Sequence, residues 1–276
     1  MKKYLVIGNP IEHSLSPLIH NYWIKKYHLA NSIYEKRKIE EKDLKNIIKE
    51  IKDGKIIGMN VTVPFKKLII PFLDELDIFA EDTQSVNTVK EVKNKIVGYN
   101  TDRPGFGKTI DNFYSPGSMG IEAIDLILEG KNIFILGAGG VTPSIISTLE
   151  HKGGNIFISN RTKSKAEELK ILFPKIKTLD WGKKPENYNI VINTTSVGLN
   201  KNDKIQIDFN DCGKDTLFYD LIYSPKETNF LKEARLRGNK TMNGQMMFLY
   251  QASCAFYIWT NILPEIDDEV IKLLDR

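Results

Sequence analysis

At 276 residues the chain exceeds the roughly 100–200 residues typical of one domain, so its length predicts two domains. Hydrophobic residues make up 41% and charged residues 27%, and no uncharged apolar run reaches the ~18 residues that a membrane span needs. The net charge of +4 comes from lysines scattered among acids, which disfavours a nucleic-acid surface and is compatible with anionic small molecules. Cys212 and Cys254 have no C-x-x-C spacing, so a disulfide framework and a zinc site are not indicated and a cytoplasmic location is expected.

The first hundred residues alternate short β-rich runs with helical patterns and predict an α/β layer structure. In chain order these are YLVIG, the helix SPLIHNYWIKKYH, IYEKRKI, the helix EKDLKNIIKEIKDG, and GMNVTV. After a polar helical stretch, SVNTVKEV and KIVGYNTD flank Lys93-Asn94-Lys95. This pattern predicts a β-hairpin that turns at the asparagine and ends at Asp102.

A second series of strands and helices follows the long segment 103–130 and its SPGSMG turn. The series is KNIFILGAGG, a helix to about His151, NIFISNR, a helix to Phe173, IKTLDW, YNIVINTTS and TLFYDLIYS. Strands that alternate with helices predict parallel pairing with right-handed crossovers, a doubly wound nucleotide-binding arrangement. The predicted domains are 1–101 and 102–242, and the apolar helix that starts near Asn243 is expected to return residues 243–276 to the first domain.

Two hydroxyls lie in the segment IEHSLSPLIHN. Pro17 suits the first helical position, which makes Ser16 a natural N-cap. Ser14 is not needed for capping, and a second hydroxyl beside free helix N–H groups suggests a small anion site. The residues alone favour plain capping and leave the anion site open.

The run Gly137-Ala138-Gly139-Gly140 follows the apolar strand NIFIL and opens a helix. That context is the one a pyrophosphate-binding glycine loop requires. Thr142 stands where the third glycine of G-x-G-x-x-G would fall. The alternative interpretation is a tight strand-to-helix turn.

A basic segment, SNRTKSK, ends the next strand, and Arg161 lies 24 residues beyond Gly137. NAD-specific folds usually place an acid near this point for the ribose 2′-hydroxyl, whereas an arginine accommodates the 2′-phosphate of NADP. Thr162 adds a hydroxyl and Lys165 a further charge. Thr162 is also expected to cap the helix KSKAEELKILF, and the two roles are compatible.

The segment MNVTVPFKK is predicted to place Asn60, Thr62 and Lys66 after the end of a strand. Pro64 ends regular pairing, so the residues that follow leave the sheet at the edge where α/β proteins bind ligands. Lys67 is expected to be solvated. Asp102 in the segment NTD is a candidate partner of Lys66, since a lysine and an aspartate together can position and pass a proton. The sequence spacing leaves open whether the two side chains meet.

These motifs together resemble the shikimate dehydrogenase family over nearly the full chain. The matching stretches, in the family's order, are GNPIEHSLSPLIHN, NVTVPFK, SVNT, GYNTD, LGAGG, NRT, INTTSVGL, DLIYSP and NGQMMFLYQ. The family reduces 3-dehydroshikimate to shikimate with NADPH in aromatic biosynthesis. The resemblance therefore implies an α/β substrate domain, a Rossmann-type NADP domain and a reaction that needs no metal.

The resemblance also assigns roles to individual residues. Lys66 and Asp102 match the catalytic pair. The residues that match substrate-binding positions are Ser14, Ser16, Thr62, Asn87, Tyr223 and Gln251. The residues that match cofactor-binding positions are Gly137, Ala138, Gly139, Gly140, Val141, Asn160, Arg161, Thr162, Lys165, Leu221 and Gly244. His13 and His20 match the family's motif and are interpreted as structural.

The chain departs from the family's usual pattern in three places: VTPS after GAGG, Arg103-Pro104 after the aspartate, and serine at the start of SVNT. These changes concern loop geometry and cofactor affinity more than the reaction. Two alternatives stay open, an NAD-dependent quinate/shikimate dehydrogenase and a catalytically silent shikimate-binding relative. Arg161 disfavours the first, and retention of both Lys66 and Asp102 disfavours the second. A monomer or homodimer is expected.

Overall fold

The computed structural model describes residues 1–116 and 126–275. These residues form two compact units, Met1–Gly105 with Leu249–Asp275, and Phe106–Phe248. From the sequence, the corresponding boundaries are expected after residues 101 and 242. Residues 117–120 of the predicted SPGSMG turn lie outside the described residues. No helix within the described ranges has both the length and the apolar character needed to cross a membrane.

Twelve strands and ten α-helices lie within the described ranges. The strands are β1 (Lys2–Gly8), β2 (Ser32–Lys38), β3 (Gly58–Val61), β4 (Glu75–Leu76), β5 (Thr88–Val92), β6 (Lys95–Tyr99), β7 (Asn132–Leu136), β8 (Asn155–Ser159), β9 (Lys177–Leu179), β10 (Ile190–Asn193), β11 (Leu217–Asp220) and β12 (Lys240–Met242). The helices are α1 (Ser16–Lys26), α2 (Leu44–Lys52), α3 (Phe65–Leu68), α4 (Ile78–Thr83), α5 (Asp102–Tyr114), α6 (Thr142–His151), α7 (Lys163–Leu172), α8 (Asn229–Leu236), α9 (Gln245–Thr260) and α10 (Asp268–Lys272). The chain passes from the first unit to the second within α5 and returns within α9.

The first unit contains a mixed six-stranded sheet in the order β2-β1-β3-β5-β6-β4. β1 pairs in parallel with β2 and β3, whereas β5 is antiparallel to β3 and β6. Helix α2 covers the sheet with Leu44, Ile47, Ile48 and Ile51, which recur at the spacing of one helix face and are all buried. Burying each such side chain contributes about 1.5–3 kcal/mol, so this face holds α2 in place.

The predicted hairpin is present as β5 and β6. Lys93 and Asn94 form its two-residue turn with φ of 51° and 64°, the left-handed conformation that a type I′ turn requires. The hairpin ends at Tyr99 rather than at the predicted Asp102. The reason is the side chain of Asn100, which donates to Thr83 Oγ1 at 2.8 Å and draws the chain out of the sheet. Asp102 consequently begins helix α5.

The second unit contains six parallel strands in the order β12-β11-β10-β7-β8-β9. This confirms the predicted doubly wound sheet. β12 was not among the predicted elements, because a three-residue edge strand carries too short a pattern to identify. Helix α8 was not predicted either. In β7, Ile133 and Ile135 belong to one hydrophobic cluster and Phe134 and Leu136 to another. The strand is continuously apolar because both faces of a parallel sheet are covered.

Candidate active site

The first feature of the site is an ion pair between Lys66 and Asp102. β3 ends at Val61, and the following turn leads into α3, where Phe65 and Ile69 are buried. These two anchors hold the intervening turn so that Lys66 points inward and its Nζ lies 2.5 Å from Asp102 Oδ2. Lys66 is 9% exposed and Asp102 5% exposed, whereas Lys67 is exposed as predicted.

A buried ion pair of this kind is costly to form. Each charge loses its hydration, and the loss is offset only when the partner and further hydrogen bonds are well placed. An ammonium group and a carboxylate in direct contact are also a donor and an acceptor that can exchange a proton with a substrate hydroxyl. The pair therefore has the composition of an acid–base site, and the question that the sequence left open is answered by direct contact.

Asn87 lies beside this pair and links three segments of the first unit. Its Oδ1 accepts from the Thr101 N–H at 2.8 Å, and its Nδ2 donates to Thr101 Oγ1 at 2.9 Å. The same Nδ2 lies 3.5 Å from Gln251 Oε1 on α9. A Cβ at Gly105 would lie 2.8 Å from the backbone nitrogen of Gln251, so only glycine permits this approach of α5 to α9. The structure thus brings together the predicted substrate residues Asn87 and Gln251.

A buried polar network connects Asn87 with Tyr34. Asn60 Nδ2 donates to the Asn87 carbonyl at 3.1 Å, and Asn60 Oδ1 accepts from the Tyr34 hydroxyl at 2.6 Å. Burial raises the Tyr34 pKa well above its usual range, and the nearby Ser16 hydroxyl opposes that rise only weakly. Tyr34 is therefore a neutral phenol, and its hydroxyl holds the Asn60 side chain in place.

Ser14 and Ser16 are not helix caps in the way that the sequence predicted. Helix α1 begins at Ser16 itself, Leu15 occupies the N-cap position, and no side chain caps the helix. The helical turn starts one residue early because Leu15 is already in the right-handed helical region. Ser14 Oγ accepts from the Ser16 N–H at 3.4 Å, at the upper limit for a hydrogen bond. The favoured interpretation, plain capping by Ser16, is therefore wrong.

Two further residues of the first unit belong to the predicted set. Thr62 is half-buried just after β3, where its N–H donates to the carbonyl of Ile7 at 2.9 Å. His13 is exposed, whereas His20 is fully buried and stacks on Tyr34 with ring centroids 4.3 Å apart. Burial lowers the His20 pKa to about 3, so the ring is neutral at physiological pH. A neutral buried ring fits the structural role assigned to it.

The glycine loop lies in the second unit, between β7 and α6. Gly137 has a φ of 107°, and a Cβ there would lie 2.7 Å from Thr194 Oγ1, so this position requires glycine. Gly139 and Gly140 are exposed, and nothing approaches a Cβ at Gly139 closer than 4.0 Å. Within the described ranges, the Val141 N–H donates no hydrogen bond. An open backbone and an unpaired N–H before a ten-residue helix suit a pyrophosphate group.

The segment after β8 carries the predicted 2′-phosphate residues. Asn160 ties it to the glycine loop, because its Oδ1 accepts from the Ala138 N–H at 3.1 Å. Arg161 and Lys165 are exposed, and neither forms an ion pair with any described residue. Thr162 occupies the N-cap position of α7 without a side-chain hydrogen bond. The predicted N-cap position is therefore confirmed, whereas the predicted cap by the Thr162 hydroxyl is not formed and the residue is exposed.

The third part of the second-unit site is the chain after β11. A Cβ at Gly244 would lie 2.0 Å from the Leu221 carbonyl oxygen, so glycine alone permits this contact. Tyr223 stacks on Phe248, with ring centroids 4.4 Å apart and planes 20° apart. Tyr223 thus belongs to the second unit, whereas the other predicted substrate residues belong to the first.

Asp220 supports this chain segment and was not among the predicted site residues. Its carboxylate accepts from Thr228 Oγ1 at 2.6 Å, from Asn193 Nδ2 at 3.0 Å and from the Ile222 N–H at 3.1 Å. Burial nevertheless raises its pKa to about 6, because desolvation outweighs the hydrogen bonds. The available sequence signal was an acid that directly ends the apolar run TLFY.

The supporting residues Tyr34 and Thr101 were likewise not predicted, and the expectation that Asn60 follows the strand is wrong, because Asn60 lies within β3. All are buried, and Asn60 lies in the middle of a strand whose four residues are all buried. A polar side chain within such a strand signals a hydrogen-bonded interior role.

Across the described residues, no three His, Cys, Asp or Glu side chains group as metal ligands.

Comparison with known proteins follows the same division of the chain. The family described as shikimate dehydrogenase substrate binding domain matches residues 6–89, which lie in the first unit. The shikimate dehydrogenase (NADP(+)) of Pelagibacter ubique strain HTCC1062 is 50% identical over 275 residues and covers 99% of both chains. The similarity therefore extends through both units.

Solved structures give the same result at the level of the fold. The crystal structure of shikimate dehydrogenase from Aquifex aeolicus has a TM-score of 0.85 at 36% identity, covering 100% of this chain and 98% of that one. The enzyme from Thermus thermophilus, solved with NADP(H) and shikimate, has a TM-score of 0.85 at 28% identity, covering 100% of this chain and 99% of that one.

Proposed function

This chain belongs to the shikimate dehydrogenase family, and from that premise we infer that it catalyses the NADP-dependent reduction of 3-dehydroshikimate to shikimate. The observation that carries the inference is the buried contact between Lys66 and Asp102, at 2.5 Å. Burying two opposite charges costs both of them hydration, and this cost supports a chemical role for the pair beyond folding.

In the proposed reaction the ring carbonyl of the substrate becomes a hydroxyl. NADPH, when bound, supplies the hydride that the carbonyl carbon accepts. The carbonyl oxygen takes up a proton, and the Lys66 ammonium is the donor beside Asp102 that can deliver it. Asp102 Oδ2 accepts a hydrogen bond from the Lys66 ammonium at 2.5 Å and so holds that group in place.

The remaining first-unit residues orient the substrate. The hydroxyls of Ser14 and Ser16 cap no helix, and they suit the substrate carboxylate as hydrogen-bond donors. Asn87, Thr62 and Gln251 present amide and hydroxyl groups suited to the ring hydroxyls. The substrate domain in this proposal is 1–101, completed by 243–276.

The second-unit residues fit NADP. The Val141 N–H and the open backbone at Gly139 suit the pyrophosphate. Arg161 and Lys165 are exposed and form no ion pair with the described residues, so their charges suit the 2′-phosphate. Asn160, Thr162, Leu221 and Gly244 complete the proposed contacts, and Tyr223 contributes its hydroxyl to the substrate. No acid lies between Ser159 and Lys165, so NADP is favoured over NAD.

The test is an NADPH absorbance assay run with 3-dehydroshikimate in reduction, with shikimate and quinate in oxidation, and with both NADP and NAD. The expected result is turnover of the shikimate pair with NADP. Lys66→Ala should lower kcat by about 10²–10⁴-fold with a smaller change in KM, because an acid–base group is lost. Lys67→Ala is the matched control, since the neighbouring lysine is exposed and should leave both constants unchanged.

Three results would contradict the proposal. Absence of turnover would favour a catalytically silent binder of shikimate. Preferred turnover of quinate with NAD would favour the quinate/shikimate alternative. A raised KM with normal kcat in Lys66→Ala would mean that the lysine only binds a ring hydroxyl.

We further propose a cytoplasmic enzyme that is a monomer or homodimer and binds no nucleic acid. Support for the location is that Cys212 and Cys254 form no disulfide. Light scattering after size-exclusion chromatography measures the mass, and 31.5 kDa or twice that value is expected. A larger assembly would contradict the proposed state.

A further inference from the structure

A short chain of hydroxyls connects the glycine loop with the end of β10. The Gly139 N–H donates to Thr142 Oγ1 at 3.1 Å, and Thr142 Oγ1 lies 2.9 Å from Thr194 Oγ1. Thr194 Oγ1 donates to the Leu136 carbonyl at 2.9 Å. Thr142 Oγ1 also lies 3.3 Å from the Gly137 carbonyl, so its single proton is donated either to that carbonyl or to Thr194. In both cases Thr142 Oγ1 accepts from the Gly139 N–H.

This relay completes the anchoring of the loop. The Gly137 N–H donates to the Ser159 carbonyl at 2.9 Å, and the Ala138 N–H donates to Asn160 Oδ1 at 3.1 Å. The Gly139 N–H donates to Thr142 on α6. Three successive backbone N–H groups of the loop therefore have acceptors, one on β8, one in the segment after β8 and one on α6. Val141, two residues on, then presents its N–H from a fixed backbone.

The anchoring matters because the loop is rich in glycine. Glycine loses more backbone freedom on ordering than any other residue. An exposed Gly139 without a partner would become ordered only when the cofactor binds, which would weaken binding. Thr142 is fully buried, so its hydroxyl is held by packing before any ligand arrives.

From these contacts we infer that Thr142 is a positioning residue that preorganises the glycine loop for the cofactor pyrophosphate. Thr142 occupies the place of the third glycine in G-x-G-x-x-G, and its hydroxyl supplies the fixation. The inference rests on the proposed NADP-dependent function.

The test measures ligand binding rather than turnover. The whole chain is titrated with NADP and with adenosine 2′-phosphate by isothermal titration calorimetry. NADP carries both a pyrophosphate and a 2′-phosphate, whereas adenosine 2′-phosphate carries no pyrophosphate. Thr142→Val removes the hydroxyl and keeps the volume, and Thr142→Ser keeps the hydroxyl. Thr148→Val is the matched control, because Thr148 is buried on the same helix and its hydroxyl donates within that helix, to the Ser144 carbonyl.

Thr142→Val should raise the Kd for NADP about tenfold and leave the Kd for adenosine 2′-phosphate unchanged, because only the pyrophosphate loop is affected. Thr142→Ser and Thr148→Val should bind both ligands as the unaltered chain does. Equal NADP affinity in Thr142→Val, or equal weakening of both ligands, would overturn the inference. If the unaltered chain binds no NADP, the proposed function itself fails.

A second measurement, amide hydrogen exchange, uses the unaltered chain without ligand, so it does not depend on whether a variant folds. The Gly139 amide, although on an exposed residue, should exchange its hydrogen slowly in the free protein because Thr142 Oγ1 accepts it. Exchange at the rate of an unprotected amide, measured by NMR, would show that the relay does not hold the loop and would overturn the inference.

Discussion

Replacing Asp220 with asparagine should change how the stability of the second unit depends on pH. Asp220 has no exposed surface, and burial raises its pKa from 3.8 to about 6. The folded chain therefore binds this proton more tightly than the unfolded chain does, and ionisation opposes folding. Tighter proton binding by folded Asp220 therefore adds to the free energy of unfolding. This contribution is fully present below pH 3.8 and is lost as the pH rises through about 6. A shift of this size corresponds to about 3 kcal/mol.

Asparagine has no such titration. The Asp220→Asn chain should therefore gain stability relative to the unaltered chain between about pH 4.5 and 8, by up to about 3 kcal/mol. The asparagine amide also donates a hydrogen bond where the carboxylate accepted one from Thr228, at 2.6 Å. Losing the hydrogen bond from Thr228 costs nearly the same free energy at every pH. It therefore shifts the whole plot of unfolding free energy against pH for Asp220→Asn and does not change the slope of that plot.

The assay is urea unfolding at several pH values, followed by pulsed hydrogen exchange of peptides from Phe106–Phe248. Peptide resolution is needed because a chain with two units need not unfold in one step. Parallel curves for the two chains across this pH range would refute the reasoning. They would mean that the three accepted hydrogen bonds outweigh desolvation and keep the Asp220 pKa near its ordinary value.

Three further predictions concern ligand binding. Ser14→Ala combined with Ser16→Ala should weaken shikimate binding by about 1.5–3 kcal/mol for each charge-assisted bond lost, and an unchanged KM at saturating NADP would contradict the carboxylate site. Arg161→Ala should lower kcat/KM for NADP and not for NAD, and an unaltered ratio between the cofactors would exclude 2′-phosphate recognition. Gly105→Ala should raise the KM for shikimate, because its Cβ would lie 2.8 Å from the Gln251 nitrogen; thermal unfolding serves as the control for general destabilisation.

Local sequence pattern was sufficient for most of the fold. The hairpin turn at Asn94, the buried face of α2 and the glycine at 137 follow from short-range rules, since each depends on residues within a few positions or on one backbone conformation. The alternation of strands and helices after residue 130 likewise predicted the parallel sheet, because parallel strands need crossover connections.

Exact ends of elements were less predictable. The sequence placed the N-cap at Ser16 and the end of the hairpin at Asp102, and both were wrong. In the second case the decision is made by Asn100, whose side chain bonds Thr83, 17 residues away. A tertiary hydrogen bond of this kind overrides the local preference for extending a strand.

By itself the sequence determined the family, the α/β architecture and the residue types of the site, because motifs and periodicity are local properties. Only the tertiary structure decided which of those residues meet. Lys66 and Asp102 are 36 positions apart, and Asn87 and Gln251 are 164 apart, yet each pair is in contact. The hydrogen bonds of Thr142 and Asp220 also depend on the tertiary structure. The packing of distant segments decides which partners a buried polar group has, and no short-range sequence pattern encodes that packing.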